Sequence, residues 1–188
     1  TTTQVFSALV SGPPSGDAGL GLRSAIASSL QAKISISKGI VRIDANNFLL
    51  AGLSPIDQRL AIAQLVLTFT SRPGIGQAIF SVNEVPIAVP RGRGDLSKPG
   101  EPVSYDDYTS LMWLGGTQGY FNTGDYAGAA PLFWRYGAAA RTPGTRSKGF
   151  YWAGRAAAQG GNSAEANRYF EMASQYPDNY YGMLALER

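Results

Sequence analysis

The chain contains no cysteine and no histidine among its 188 residues. Their absence excludes disulfides, thiolate nucleophiles, the usual zinc sites, Ser-His-Asp triads and acid-base catalysis by imidazole. We therefore predict that the protein is not an enzyme and that it has no catalytic, cofactor-binding or metal-binding residues. A chain without thiols also suits an oxidising compartment outside the cytoplasm.

Neither sign of charge is in large excess, since the net charge is only +3 and no run of basic residues occurs. Residues 1–112 carry nine Lys and Arg against eight Asp and Glu, and the remainder carries seven against five. This even distribution predicts no binding to nucleic acid or to lipid headgroups.

Long apolar stretches are also missing, because no segment reaches the length that a membrane-spanning helix needs. The first residues lack the basic and apolar regions of a signal peptide. We expect an extracytoplasmic location, in the periplasm or cell wall, after removal of a leader or anchor that this sequence does not include.

Aromatic residues divide the chain into two parts. Fifteen of the twenty-one Phe, Trp and Tyr residues lie from Trp113 onward, and the first part is correspondingly poor in them. We place the junction between Ser110 and Gly116. The predicted domains are residues 1–112 and residues 113–188.

The sequence of the first part predicts strands and helices in alternation. Two β-branched runs, 32–37 and 40–44, flank Lys38-Gly39 and predict a hairpin. Ser54 is the predicted N-cap of a buried helix that ends at Thr70, with Pro55 at its first position.

A second hairpin is predicted over residues 77–82 and 85–89, and Pro86 places its second strand at a sheet edge. Residues 91–102 are rich in glycine and proline and predict an exposed loop. Ser104 then caps a short helix, with Asp107 at the third position.

The second part has the residue spacing of a 34-residue helix-turn-helix repeat. The packing positions of this frame are Trp113, Tyr120, Ala129 and Phe133, followed by Phe150, Gly154, Ala157, Ala166, Phe170 and Ala173. Asp125 and Asn162 are predicted N-caps. We expect two helix pairs and the start of a fifth helix over 179–188.

The predicted fold class is therefore α+β, a small mixed sheet with packed helices, followed by an all-α module of tetratricopeptide-like helical hairpins. The first module resembles the sporulation and spore-germination domain called GerMN over residues 5–112. The matching stretches are 8–14 (ALVSGPP), 39–44 (GIVRID), 61–74 (AIAQLVLTFTSRPG) and 103–108 (VSYDDY). The resemblance implies a non-catalytic domain that mediates assembly in the envelope, and it gives no ligand residues.

The second module resembles the helical solenoid of soluble lytic transglycosylases, through residues 150–156 (FYWAGRA) and 176–185 (YPDNYYGMLA). Those enzymes cleave peptidoglycan with a glutamate of a separate lysozyme-like domain, to which the resemblance does not extend. Lytic activity is therefore not implied.

Aromatic and arginine side chains of the second module form the predicted ligand or partner surface, because aromatic faces bind sugars or peptides and guanidinium binds carboxylates. The candidate residues are Trp134, Arg135, Tyr151, Trp152, Arg155, Tyr180 and Tyr181. Arg146 and Lys148 are further cations that such a ligand could meet.

We predict a non-catalytic binding or scaffold protein of the cell envelope, whose partner is an envelope protein or peptidoglycan. Self-association through the unfinished last repeat is also expected, since solenoids need a polar capping helix. Two alternatives stay open, an accessory helical fragment of a lytic transglycosylase and an engineered chimera of two modules. A chimera predicts that residues 1–112 and 113–188 melt independently.

Overall fold

A computed structural model describes residues 1–16 and 23–188 of the chain. Residues 1–108 form one unit, which contains helices and all the described strands, and residues 109–188 form a second unit of helices alone. This order confirms the predicted fold class, α+β followed by all-α. The predicted junction, residues 110–116, falls inside the first α-helix of the second unit.

The first unit is built on a mixed sheet. Its elements are α1 (Thr2–Ser11), β1 (Ala32–Ser37), β2 (Ile40–Ala45), a 3₁₀ turn (Asn47–Leu49), α2 (Pro55–Thr70), β3 (Gln77–Val82), β4 (Val85–Pro86), β5 (Val103–Ser104) and a 3₁₀ turn (Tyr105–Tyr108). The strand order is β1-β2-β3-β4, and β5 also pairs with β3. The β1–β2 pair is antiparallel with Ser37 opposite Ile40, as the predicted hairpin requires, whereas β2 and β3 are parallel.

Helix α2 connects the parallel strands and covers one face of the sheet. Ser54 Oγ accepts a hydrogen bond from the Asp57 N–H at 3.3 Å and Pro55 is the first helical residue, which confirms the predicted start. Between α2 and the strands lies the core of this unit, and its fully buried side chains include Val41, Ile43, Ile62, Leu65, Val66 and Phe69. Burial of each such side chain contributes about 1.5–3 kcal/mol relative to exposure.

The second predicted hairpin forms, but its second strand ends earlier than expected. β4 contains only Val85 and Pro86 rather than residues 85–89, and it lies at the sheet edge. Pro86 has no N–H to continue the ladder, so pairing stops there apart from the bond from the Ile87 N–H to the Phe80 carbonyl at 3.2 Å.

The segment predicted as an exposed loop, residues 91–102, is a loop, and Arg91 fixes its conformation. Its guanidinium forms ion pairs with Asp95, Glu101 and Asp107, each at 3.1 Å, and its side chain is only 21% exposed. Pro90 and Leu96 also form an isolated bridge across the loop. Most residues of the segment are exposed, as predicted. Carboxylates four, ten and sixteen residues away bind this arginine, a pattern that composition does not show.

The same loop fixes Tyr108, whose hydroxyl donates a hydrogen bond to the Pro90 carbonyl at 3.0 Å and whose side chain is fully buried. Burial raises the pKa of Tyr108 above its ordinary value, and the nearby charge of Asp107 raises it further. Because the pKa of Tyr108 is higher in the folded than in the unfolded state, Tyr108 makes its full contribution to the free energy of unfolding below the unfolded-state pKa of about 10. That contribution is lost as the pH rises above this value.

Tyr108→Phe is therefore expected to lower the free energy of unfolding by about 1 kcal/mol at neutral pH, through loss of one hydrogen bond. Above about pH 10 the wild-type protein loses stability that the variant does not lose. The difference between their urea midpoints, followed by circular dichroism, should narrow in the alkaline range. A difference that stays constant there would show that Tyr108 is not the alkaline-sensitive group.

The second unit consists of helices that follow one another through short turns. They are α3 (Thr109–Thr117), a π-helical turn (Gln118–Thr123), α4 (Tyr126–Ala139), α5 (Pro143–Gln159), α6 (Ser163–Ser174) and α7 (Tyr180–Leu186). Helix α5 packs against α4, α6 and α7. The side chains of Asp125 and Asn162 accept the N–H groups of Gly128 and Glu165, which confirms both predicted N-caps.

The short helix predicted after Ser104 forms. Val103 and Ser104 make up strand β5, a 3₁₀ helix begins at Tyr105, and α3 begins at Thr109. The predicted capping pair does form, because the Asp107 carboxylate accepts the Ser104 N–H at 2.7 Å and the Ser104 hydroxyl at 3.0 Å. Asp107 is also bound by Arg91, so it joins the turn to the preceding loop.

Glycine permits the closest helix contacts of this unit. A Cβ added to Gly149 would meet the backbone of Gly137, and one added to Gly154 would lie 2.7 Å from the Phe170 ring. Phe133 and Ala153 are fully buried beside these contacts. The small residues predicted at the packing positions therefore admit large rings from the neighbouring helix.

Candidate functional site

Six aromatic side chains of the second unit form a continuous run of ring contacts, which we call the aromatic track. Its members are Tyr120, Phe121, Tyr151, Trp152, Tyr180 and Tyr181. Neighbouring ring centroids are 4.8–6.3 Å apart, with interplanar angles between 43° and 88°. These tilted and edge-to-face arrangements are favourable because the positive edge of one ring meets the negative face of the next.

Three elements supply the track, two residues each. Tyr120 and Phe121 lie in the π-helical turn, Tyr151 and Trp152 lie on α5, and the last two tyrosines begin α7. Tyr151 is buried at 5% exposure and anchors the middle of the track. Consecutive helical residues point in different directions, so Trp152 turns from Tyr151 towards the π-helical turn.

The ends of the track are open. Phe121 is 58% exposed at one end and Tyr180 is 63% exposed at the other, with Met183 at 49% one turn further along α7. Single exposed apolar residues are common on protein surfaces, but here they extend a connected set of rings. The arrangement provides apolar contact area at both ends.

Arg155 lies against the middle of the track. Its Cζ atom is 5.5 Å from the Trp152 ring centroid, and its Nη2 donates to the Tyr120 hydroxyl at 3.5 Å. A hydrogen bond to Tyr151, together with the nearby phenols, raises the pKa of Arg155 despite partial burial. The guanidinium is thus held in one place by aromatic groups.

Arg188, which follows the end of α7, contacts the Tyr151 hydroxyl. Its Nη2 donates to the Tyr151 hydroxyl at 3.4 Å, and its Cζ lies 5.4 Å from the Phe170 ring centroid. Burial raises the pKa of Tyr151, but the hydrogen bonds and charges of Arg188 and Arg155 outweigh it, so this pKa lies below its ordinary value. The Tyr151 oxygen therefore accepts a hydrogen bond from a guanidinium group.

No carboxylate among residues 1–16 and 23–188 forms an ion pair with either of these arginines. The contrast with Arg91, which binds three carboxylates, is direct. Two guanidinium groups on one connected aromatic surface suit the binding of anionic groups, since charge-assisted pairs with carboxylate are strong.

The structure brings together five of the seven residues predicted from the sequence, namely Tyr151, Trp152, Arg155, Tyr180 and Tyr181. The other two, Trp134 and Arg135, lie on α4. The Trp134 ring is partly buried against the core, and Arg135 is exposed to solvent. Neither takes part in the ring contacts that define the track.

Two further predicted cations serve in packing. Arg146 donates from Nε to the Tyr176 hydroxyl at 2.9 Å and from Nη1 to the Ala140 carbonyl at 3.1 Å. Lys148 lies with Nζ 3.8 Å from the Trp113 ring centroid. These contacts hold both side chains within the unit, away from the track.

Sequence reasoning missed Phe121 and Arg188 and assigned Tyr120 only to packing. The π-helical turn decides where the first pair points, and i→i+5 bonding is too rare to be expected from residue type. The spacing of Arg188 from Tyr151 gives no local signal either.

A cavity lies over the open face of the sheet in the first unit, with a volume of about 560 Å³. Three of its four charged lining residues already contact neighbouring groups. Asp44 accepts the Ser81 hydroxyl at 2.6 Å and the Glu84 N–H at 2.8 Å, and these hydrogen bonds lower the pKa of Asp44. Lys33 pairs with Glu84 at 3.7 Å, and Arg42 is the fourth charged residue. Because most of these charges already have partners, we place the candidate site at the aromatic track.

Comparison with known proteins concerns the first unit. A family model described as Germane, sporulation and spore germination, matches residues 1–88. Residues 1–88 are therefore similar to this family, which agrees with the resemblance predicted for the N-terminal module, although the match ends before residue 112. No curated protein sequence matches the chain.

Among solved structures, the tandem GerMN domains of the sporulation protein GerM from Bacillus subtilis are similar at 21% sequence identity, with a TM-score of 0.38. The similarity covers 53% of this chain and 32% of that one, so the chain spans about a third of that structure. In the part of the chain that the structure describes, no helix is both long and apolar enough to cross a membrane.

Proposed function

We propose that the chain is a non-catalytic binding or scaffold protein of the bacterial cell envelope, associated with peptidoglycan, and that the aromatic track is its binding surface. The proposed location is extracytoplasmic, in the periplasm or cell wall. The observation that carries the proposal is the joining of a GerMN-like domain to a unit with six connected rings and two arginines that have no acidic partner among the described residues.

The packing of the second unit supports a tetratricopeptide-like solenoid segment. Helices α3 to α6 contact one another in chain order, and α5 contacts α7, the helix that begins the next pair. In this arrangement alternate helices share one surface, and the aromatic track runs across three of them. The exposed Met183 and Leu186 of α7 mark where the predicted self-association would occur.

The positions of the carboxylates support a role without catalysis. Glu165 accepts hydrogen bonds from its own N-cap, Asn162, at 3.1 Å, and from the Tyr169 hydroxyl at 2.8 Å. Burial and this bond to Glu165 raise the pKa of Tyr169 to about 12. Glu165 thus stabilises the start of α6, whereas a glycosidase needs a carboxyl group free to protonate its substrate.

Incubation with insoluble peptidoglycan sacculi tests the proposal. The wild-type protein should co-sediment with sacculi and should leave their turbidity unchanged. Phe121→Ser should weaken co-sedimentation about tenfold, since loss of one aromatic anchor at a binding surface costs more than about 1 kcal/mol. Phe121 is 58% exposed, so we expect the fold to persist.

The matched control is Leu114→Ser, which replaces an apolar residue of similar exposure, 53%, on α3 outside the track. Its binding should equal that of the wild type. Clearing of the suspension would overturn the non-catalytic assignment. Equal loss of binding in both variants would reject the track as the binding surface.

An accessory helical segment of a lytic transglycosylase is the second candidate, favoured by the helical-hairpin architecture of the second unit. In that case the chain would increase the lytic rate of a lysozyme-like domain supplied separately. An unchanged rate, measured by turbidity, would leave envelope binding as the function.

A further inference from the structure

We infer that the aromatic track binds an extended acidic peptide, whose carboxylates lie between Arg155 and Arg188 and whose apolar side chains contact the two ends of the track. This inference rests on the proposed function only in taking the track as the binding surface. It names the chemistry of the ligand, which the proposed association with peptidoglycan leaves open.

The charges on the track favour an acidic ligand. Arg155 and Arg188 both donate hydrogen bonds to uncharged phenols, although a guanidinium pairs best with a carboxylate. Arg91 shows in the same chain how an arginine is bound when it serves the fold, with three carboxylates at 3.1 Å. The Tyr151 hydroxyl accepts from Arg188 at 3.4 Å, and the Tyr120 hydroxyl accepts from Arg155 at 3.5 Å. Two donors and a phenol around one position suit a carboxylate.

Ring geometry favours a peptide over a glycan. Sugars stack on flat, exposed aromatic faces, but the Trp152 ring packs edge-to-face with Tyr120 at 86°, and the Arg155 guanidinium lies over the Trp152 ring at 5.5 Å. The cation over this ring competes with a stacked sugar. It also attracts anionic oxygen, which a peptide carboxylate supplies.

The spacing of the rings and the exposure of the two track ends indicate which residue pattern the peptide should have. Ring centroids along the track are 5.2–6.3 Å apart from Phe121 through Trp152 and Tyr151 to Tyr180. An extended peptide advances roughly 3.3 Å per residue, so about two residues span each step. With open apolar ends and cations in the middle, the matching segment has acidic residues flanked by apolar ones.

Fluorescence polarisation with labelled peptides tests this inference. The probe is a blocked octapeptide with glutamates at its central positions and leucines at both ends, compared with the same peptide containing lysine for glutamate. The wild-type protein should bind the glutamate peptide, with affinity that falls as salt rises, and should not bind the lysine peptide. The double variant R155Q/R188Q should weaken binding about tenfold or more.

The matched control is R135Q/R168Q, which removes two exposed arginines of α4 and α6 and the same net charge. Its affinity for the glutamate peptide should stay within about twofold of the wild type, because exposed charges away from a site act weakly. Circular dichroism of both double variants verifies that the helices remain. Equal weakening in both would mean attraction by net charge alone and would overturn the inference.

Three other outcomes overturn it as well. The lysine peptide could bind equally, the glutamate peptide could fail to bind, or a chitin oligosaccharide could bind in its place and be lost in W152A. The sacculus measurement and the peptide measurement test different proposals. Loss of sacculus binding with intact peptide binding rejects the association with peptidoglycan alone, whereas sacculus binding without peptide binding rejects the acidic peptide alone.

Discussion

Phe133→Ala is expected to lower the free energy of unfolding of the helical unit by about 3–5 kcal/mol, the range for a buried phenylalanine. The Phe133 side chain is fully buried, and its ring centroid lies 5.0 Å from that of Trp113 and 6.1 Å from that of Trp152. Gly116 faces this ring so closely that a Cβ there would lie 2.8 Å from it. Removing the ring leaves a cavity between α3, α4 and α5 that rigid helices fill poorly.

Tryptophan fluorescence during urea unfolding measures this effect in isolation, because Trp113, Trp134 and Trp152 all belong to the second unit. The control is Phe121→Ala, a change of the same residue type at a position that is 58% exposed, where the loss should be below about 1 kcal/mol. Similar urea midpoints for the two variants would show that Phe133 is not a core residue.

Gly149→Ala is expected to destabilise the same unit by about 1–3 kcal/mol, although alanine is the better helix former by about 1 kcal/mol. The added Cβ would meet the Cα of Gly137 and would lie 2.8 Å from the Phe133 carbonyl oxygen. These are backbone atoms, so a rotamer change cannot relieve the overlap and α4 must move away from α5. Steric overlap therefore decides the sign of the effect.

Gly144→Ala on the same helix provides the comparison. Its Cβ would meet only the side-chain oxygen of Asn179 at 3.1 Å, which can rotate away. We expect a stability within about 0.5 kcal/mol of the wild type, the range of changes outside close contacts. If urea unfolding by tryptophan fluorescence gives Gly149→Ala the same or greater stability than the wild type, α4 and α5 do not pack as described.

Features that depend on neighbouring residues were predictable from the sequence. Ser54, Asp125 and Asn162 cap their helices as expected, because a cap is made within three residues of the chain. The Lys38-Gly39 hairpin formed for the same reason, with both residues at positive φ, 50° and 78°. Local chemistry fixes such elements before any packing.

Features that depend on distant partners were not predictable. Arg91 is fixed by Glu101 and Asp107, which lie far along the chain, so a glycine-rich segment became an ordered loop. At the candidate site, Tyr151, Trp152 and Arg155 were found together because one turn of α5 carries them. Trp134 was predicted on residue type, which does not reveal that its ring faces the core.

The π-helical turn at Gln118–Thr123 has a consequence for how this protein can change in evolution. Each residue of an α-helix advances the chain by about 100°, so the number of residues before Tyr120 and Phe121 sets the direction of both rings. A one-residue deletion in the turn would leave every member of the track present in the chain and still turn two of them away. Among relatives, gaps in this segment therefore carry more information about binding than substitutions do.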